Sequence, residues 1–551
     1  MNKMFSNLNS RNLALVTAIV VGFFVAAPAA STPKASAVQI APSDVLIAAT
    51  GPGNPQRPGS PSTDAYRPAY HFTPARNWIN DPNGLVYLDA EYHLFYQYNP
   101  FGDRWGHMSW GHAISRDLVH WQELPVAIPE DQDYMIFSGS IVVDERNTSG
   151  FGKDGGAPLV AVYTGYQRSA AKIQNQQLAY SNDKGRTWTK YAGNPVLDLG
   201  LSEFRDPKVF WYAPSSEWIM AAVLSDLRKV TFYGSKDLKA WHHLGDFGPA
   251  GAVDGAWECP DLFAVPVTNS PADTRWVLKV DVFKSTKAGG SGAQYFVGIF
   301  DGQTFIEEPG GTAQPVDYGK DFYAAASWSN IPASDGRHLW IGWMNNHAYA
   351  QDTPTAPWRG AMSVPRVVSL RRTGTGYEIL QSPVEELARL RSHHLRLANV
   401  PLMGRHRTDS GSTAIASKPE NSQELLTTLC AGDAQEFGLK LRVGPHEQTV
   451  ISYNIESQRL FIDRTHSGRI DFSDEFAGRQ SAPVALTDGC ISLHVLLDRS
   501  SVEVFAGNGA RVLTEQIFPA ATSTGLRAYA KGGTAVVRSL DLWDLAPMRP
   551  Q

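Results

Sequence analysis

A degenerate repeat limits what this chain can fold into. Ser115-Arg116-Asp117-Leu118-Val119-His120-Trp121, Ser181-Asn182-Asp183-Lys184-Gly185-Arg186-Thr187-Trp188 and Ser235-Lys236-Asp237-Leu238-Lys239-Ala240-Trp241 each set a Ser-x-Asp turn a few residues before a tryptophan. Each follows one strand-like apolar run and precedes another. Trp121 and Trp188 lie 67 residues apart, Trp188 and Trp241 53. Recurrence on this scale fits four-stranded propeller blades with insertions. Ser-x-Asp with Trp is also an ordinary hairpin turn, which a propeller contains in any case. Strand groups fall at roughly 78–125, 135–190, 205–245, 257–310 and 322–370, giving about five blades.

Composition agrees with an all-β chain. Charged residues make up only 19%, while 48 Gly and 35 Pro supply the turns that many short strands need. A formal net charge of -5 leaves no basic surplus, which argues against a nucleic-acid partner. Three cysteines are too few for a disulfide scaffold. Cys259 reads as a small packed thiol. Cys430 and Cys490 can pair in an oxidising compartment, with two free buried thiols as the alternative. No His/Cys cluster has metal-ligand spacing, so neither a metal nor a cofactor is expected.

The chain divides as follows. Residues 1–30 read as a signal peptide: Lys3 and Arg11 precede the apolar run Leu13 to Ala27, and Ala27-Pro28-Ala29 offers a cleavage site, with Ala35-Ser36-Ala37 a second. The apolar run is close to a spanning length, so an uncleaved anchor is the alternative. No second run of that length follows, so the mature chain is expected to be soluble, without stable membrane association, and secreted to an extracellular or periplasmic location. Residues 31–68, rich in Pro, Ser and Ala, read as a disordered arm. The propeller is expected over 69–380 and a helical linker over 381–394, with Ser382 as N-cap and Pro383 at the first position. Strands resume over 395–551 and read as a β-sandwich.

Three acidic motifs stand at proline-fixed bends. In Asn77-Trp78-Ile79-Asn80-Asp81-Pro82-Asn83-Gly84, Pro82 presets φ and Gly84 can take a positive φ, so the turn can hold Asp81 rigidly beside an indole and an amide. Alone, this would be a hairpin turn with an Asp cap. Glu203-Phe204-Arg205-Asp206-Pro207-Lys208 and Trp257-Glu258-Cys259-Pro260-Asp261 repeat the pattern and change the reading. A ring of blades brings its innermost strands to one axis. Asp81, Asp206 and Glu258, near the starts of blades one, three and four, can therefore share a pocket.

With Phe137-Ser138-Gly139-Ser140 and Asp498-Arg499-Ser500-Ser501-Val502-Glu503-Val504-Phe505, these motifs in this order resemble the β-fructofuranosidase family of glycoside hydrolases, which includes invertases, inulinases and levanases. The resemblance runs from about Tyr70 to about Trp543. It implies a five-bladed β-propeller followed by a C-terminal β-sandwich, and a retaining pair with Asp81 as nucleophile and Glu258 as acid/base. It gives Asp206 transition-state stabilisation and places Trp78, Asn80, Gln97, Trp105, Phe137 and Ser138 around the sugar, with Arg205 as a donor and Tyr323 near the acid/base. The residues themselves suggest how charge is divided. Asp81 in its turn should stay ionised, Arg205 should keep Asp206 ionised, and the less polar flanks of Glu258 should favour its protonated form. Glu503 and Asp498 read as solvated or turn carboxylates. One departure is Trp343-Met344-Asn345-Asn346-His347, where many relatives read tryptophan at the last position. The resemblance implies a secreted, exo-acting fructanase acting on levan, inulin and sucrose. A sucrose-restricted invertase, a fructosyltransferase and a non-catalytic fructan-binding protein are the alternatives.

Overall fold

The computed structural model describes residues 63–285, 289–404, 410–416 and 421–548. The expected signal peptide, both cleavage sites and residues 31–62 of the expected arm lie outside the described residues. The end of that arm is ordered: Thr63–Tyr66 is a 3-10 turn, Tyr66 meets Phe518 edge-on, and the Arg67 guanidinium lies 5.0 Å from the Trp358 ring centre. Among the described residues, no helix is long and apolar enough to cross a membrane.

Five antiparallel four-stranded blades surround an axis. Their innermost strands are Asn77–Leu88, Tyr134–Val143, Phe204–Tyr212, Ala256–Val267 and Tyr323–Ser327. Hydrogen bonds close the ring between blades five and one, from Tyr87 N–H to Ser329 O (3.0 Å) and from Ser329 N–H to Leu85 O (2.9 Å). The fifth blade extends past 370, because Gly376–Pro383 is its outermost strand. Apolar side chains fill the gaps between neighbouring blades. Val86, Phe95 and Trp110 of the first pack on Ile136, Ile141 and Tyr163 of the second. Ile219 and Phe232 of the third pack on Leu262 and Val280 of the fourth.

The repeat is one turn built three times between the third and fourth strands of a blade. The Asp amide donates to the Ser hydroxyl at Asp117/Ser115 (3.1 Å), Asp183/Ser181 (3.3 Å) and Asp237/Ser235 (3.2 Å). Each Asp carboxylate caps amides further along the turn, at His120, Thr187 and Ala240. The indole N–H of Trp121, Trp188 and Trp241 then donates to the carbonyl three residues back. The tryptophan recurs because it fastens the turn to the strand that follows.

The expected linker helix takes another form. Ser382 and Pro383 end a strand, Glu385–Leu390 is a 3-10 turn without a side-chain cap, and Arg391 already begins the next strand. Val384, Leu387 and Leu390 are buried at intervals of three, the 3-10 period rather than the α period. Beyond it, two six-stranded antiparallel sheets form the sandwich. Leu425, Val495 and Val504 of one sheet interleave with Phe437, Leu439 and Ile451 of the other. Cys430 and Cys490, opposite one another in paired strands, form a disulfide.

Glu503 and Asp498 are not solvated; both are fully buried where the propeller meets the sandwich. His71 bridges them, with Nδ1 2.7 Å from Asp498 and Nε2 2.9 Å from Glu503, and Arg366 holds the other oxygen of Glu503. Nearby, Arg464 sits between Asp321 and Glu515. Burial would raise the Glu503 carboxyl, but Arg366 and His71 outweigh it and hold it at about 2. Burial would depress His71, but its two carboxylate partners raise it to about 9. The Glu503 contribution is therefore complete above its ordinary value of 4.5 and is lost as pH falls towards 2. That of His71 is complete below 6.5 and is lost as pH rises through 9. Breaking such a buried pair costs about 3–5 kcal/mol. Glu503→Gln should lose that much by urea unfolding at pH near 6, and the gap to the parent should narrow below pH about 4. A gap that does not change with pH would mean the loss is steric rather than ionic.

Candidate active site

The innermost strand of every blade is irregular at the same height. Pairing shifts between Ile79 and Pro82, Ile136 and Gly139, Arg205 and Lys208, Glu258 and Asp261, and Tyr323 and Ala326. Asp206, Cys259 and Ala324 take left-handed backbone there, with φ of 61°, 45° and 52°. A bulge re-aims side chains away from the strict in-and-out alternation of a strand. Five such bulges around one axis turn polar groups towards a common point. Gly139 allows the closest approach at these bulges, since a Cβ there would stand 2.1 Å from the Val162 carbonyl oxygen.

Asp81 is held from two sides. One carboxylate oxygen accepts from Ser138 Oγ (2.6 Å) and the other from Asn80 Nδ2 (3.0 Å), while the Trp78 indole orients Asn80 through its Oδ1 (2.8 Å). Cys259 links the acids: its Sγ lies 3.6 Å from Asp81 Oδ2, and its N–H donates to Asp206 Oδ2 at 2.9 Å. The Asp206 amide is fixed on Thr164 Oγ1 (2.9 Å). Glu258 accepts from Arg205 Nη2 (2.9 Å) on one oxygen and from the Tyr323 hydroxyl (2.6 Å) on the other. Arg205 is itself braced by Gln174 (3.2 Å), Ser225 (2.7 Å) and Glu203.

The expected division of charge is reversed. Arg205 pairs with Glu258 and stays 3.8 Å from Asp206, so its charge acts first on Glu258. Burial pushes Glu258 up, but Arg205, His347 and the Tyr323 hydroxyl outweigh it and hold the group below the usual range. Burial drives Asp206 up to about 7, against Arg205 and with the help of Glu258 and Asp81. Sequence adjacency gave Arg205 its weaker partner. Arg205 and Asp206 are neighbours in a bulged strand, and the guanidinium reaches across to the next blade.

The remaining expected residues divide into walls, floor and rim. Trp78 is buried against Trp343, with ring centres 5.8 Å apart. Phe137 stacks on Tyr166 at 4.7 Å and meets Trp105 edge-on at 6.1 Å; Trp105 is 43% exposed. Gln97 is buried, and its Nε2 has no partner among the described residues. A cavity of about 40 Å³ is lined by Ser138, Asp206, Cys259 and Lys208, whose Nζ sits 3.1 Å from Asp261 Oδ1 and 2.7 Å from Ser327 Oγ.

Sequence reading missed several supporting groups. Thr164, Gln174 and Ser225 lie outside the acidic motifs and reach the site only through the blade arrangement. Lys279 and Asp281 alternate on the strand beside Glu258. Both are fully buried, and Lys279 Nζ donates to the Cys259 carbonyl (2.9 Å) and to Asp281 (2.6 Å). Among the described residues, no three His, Cys, Asp or Glu side chains are placed to share a metal ion.

This arrangement can attack, protonate and stabilise charge around one small polar substrate, and the chain that carries it is similar to known proteins. Residues 71–383 match the glycosyl hydrolases family 32 N-terminal domain, and residues 386–544 match the glycosyl hydrolases family 32 C terminal. A levanase of Bacillus subtilis (strain 168) is 46% identical over 486 residues, covering 87% of this chain and 70% of the relative. An extracellular exo-inulinase of Aspergillus awamori is 41% identical over 517 residues, covering 87% and 95%. The crystal structure of exo-inulinase from Aspergillus awamori superposes with a TM-score of 0.81 at 39% identity, covering 88% of this chain and 99% of that one.

Proposed function

This chain belongs to glycosyl hydrolases family 32 and is a glycosidase, and we propose that it is an exported, retaining enzyme that releases terminal β-D-fructofuranosyl units from levan, inulin and sucrose. One observation carries the proposal. Asp81 is presented by Asn80 and Ser138, while Glu258 is gripped by Arg205 and Tyr323, so two carboxylates, linked through Cys259, are held in different chemical settings.

Asp81 attacks the anomeric carbon, and Glu258 gives its proton to the departing oxygen, leaving a covalent fructosyl-enzyme and a free alcohol. Glu258 then takes a proton from water, which attacks the same carbon and restores Asp81. The Arg205 contact favours ionised Glu258, which suits the second step. The first step needs the protonated form, so acid pH favours it. Asp206 faces the fructosyl hydroxyls and the positive charge that builds up on the ring. That charge, with Arg205 and the Cys259 amide, favours its carboxylate form against the burial that raises it. Trp78, Phe137 and Trp105 wall the pocket against apolar sugar faces, and Gln97 Nε2 is a donor without a partner among the described residues.

Reducing-sugar release from levan, inulin and sucrose tests the proposal. Free fructose should appear from all three, as monomer from the first time point. Turnover of sucrose alone would reduce the enzyme to an invertase. Fructosyl transfer to sucrose in place of water would make it a transferase, and binding without turnover would overturn the proposal.

A further inference from the structure

His347 stands beside the acid/base, and the steps above give it no task. The loop that carries it is fixed on both sides. Its N–H donates to Ser291 Oγ (3.1 Å), and the neighbouring Asn346 amide donates to Ser291 O (3.2 Å) and Lys320 O (2.9 Å). Three rings box the imidazole: Phe283 edge-on at 5.0 Å, Tyr323 edge-on at 5.1 Å and Trp343 tilted at 4.9 Å. Tyr323 is the residue whose hydroxyl donates to Glu258. An acid/base protonates the leaving oxygen, so that oxygen comes next to Glu258 and within reach of groups packed beside it.

Neither ring nitrogen of His347 bonds to another described residue, and the residue is half-buried. Such freedom is unusual in a site where Asp81, Asp206, Glu258 and Arg205 are all held by protein partners. Four charged groups bear on the ring: Glu258 and Asp81 favour its protonation, Lys284 and Arg205 oppose it. Burial, the largest influence, lowers the imidazole below its ordinary value and so favours the neutral ring. A neutral imidazole has one donor and one acceptor, whereas an indole in its place would have a donor alone.

We propose that His347 determines specificity at the leaving-group side, where its imidazole exchanges hydrogen bonds with hydroxyls of a departing sugar while Phe283 packs against that sugar's C–H face. The inference rests on the β-fructofuranosidase reading and names a recognition element within it. Its consequence is a preference for polyhydroxylated leaving groups over simple alcohols.

The test compares His347→Phe, which keeps a ring, with His347→Gln, which keeps a donor and an acceptor. Each is assayed on sucrose, on an inulin-type trisaccharide and on methyl β-D-fructofuranoside, whose leaving group carries no further hydroxyl. His347→Phe should lose about tenfold in kcat/KM on the two sugars and stay within about twofold on the methyl glycoside. Inhibition by free fructose should not change, because that ligand occupies the other side of the scissile bond. His347→Gln should keep most of the parent's preference. Equal losses on all three substrates would overturn the proposal and make His347 a support for Tyr323 and Glu258, and unchanged selectivity in His347→Phe would overturn it as well. A parent chain inert on every β-fructofuranoside would instead sink the hydrolase reading, and this inference with it.

Discussion

Asp81→Asn should fold like the parent chain and hydrolyse sucrose at least about 10⁴-fold more slowly. The change keeps the size of the side chain. Ser138 can turn its hydroxyl to accept from the new amide, and Asn80 still finds an oxygen, so the bulge at Ile79–Pro82 keeps its side-chain contacts. What disappears is the anionic carboxylate oxygen that forms the covalent bond, and no neighbour can replace it. Asp206 is tied to the Cys259 amide, and Glu258 is tied to Arg205 and Tyr323. Urea unfolding and turnover should therefore separate: the midpoint stays and the rate falls. The same acid-to-amide change at Glu503 should do the reverse, lowering the midpoint while sparing the rate of the folded fraction. A variant of Asp81 that keeps a tenth of the parent's turnover would remove Asp81 from the nucleophile's role.

Much of this was legible in the sequence where local chemistry shapes the chain. Pro82, Pro207 and Pro260 mark bends, and each follows a bulge residue or sits in one, so three of the five convergence points can be read directly. The other two, at Ser138 and at Tyr323-Ala324, have no proline and are set by blade geometry. Charge pairing was the least legible feature. Asp498 and Glu503 stand in a polar turn-like run, and nothing nearby announces His71, more than 400 residues away. The same distance effect misdirected Arg205. Adjacent residues in a bulged strand need not face one another, whereas residues on neighbouring blades can.

Glu258→Ala and Asp206→Asn should fail in different ways, and the difference assigns their roles. Without Glu258, departure of a poor leaving group loses its proton, so turnover of sucrose should fall by about 10²–10⁴. A substrate whose leaving group departs unprotonated should lose far less in that step. Attack by water on the fructosyl-enzyme also loses its base. Added azide needs no base, so it should restore part of the rate and give a β-fructosyl azide, with β-fructofuranose the first anomer seen by NMR in the parent. Asparagine is the right replacement at 206 because the backbone there is left-handed, φ 61°, which Asn tolerates and Ala resists. Asp206→Asn keeps an acceptor for the Cys259 amide but loses the charge that steadies both transition states. Neither azide nor a better leaving group can supply that charge, so neither should rescue it. Rescue of Asp206→Asn but not Glu258→Ala would exchange the two assignments, and α-fructofuranose as the first product would exclude the covalent route through Asp81.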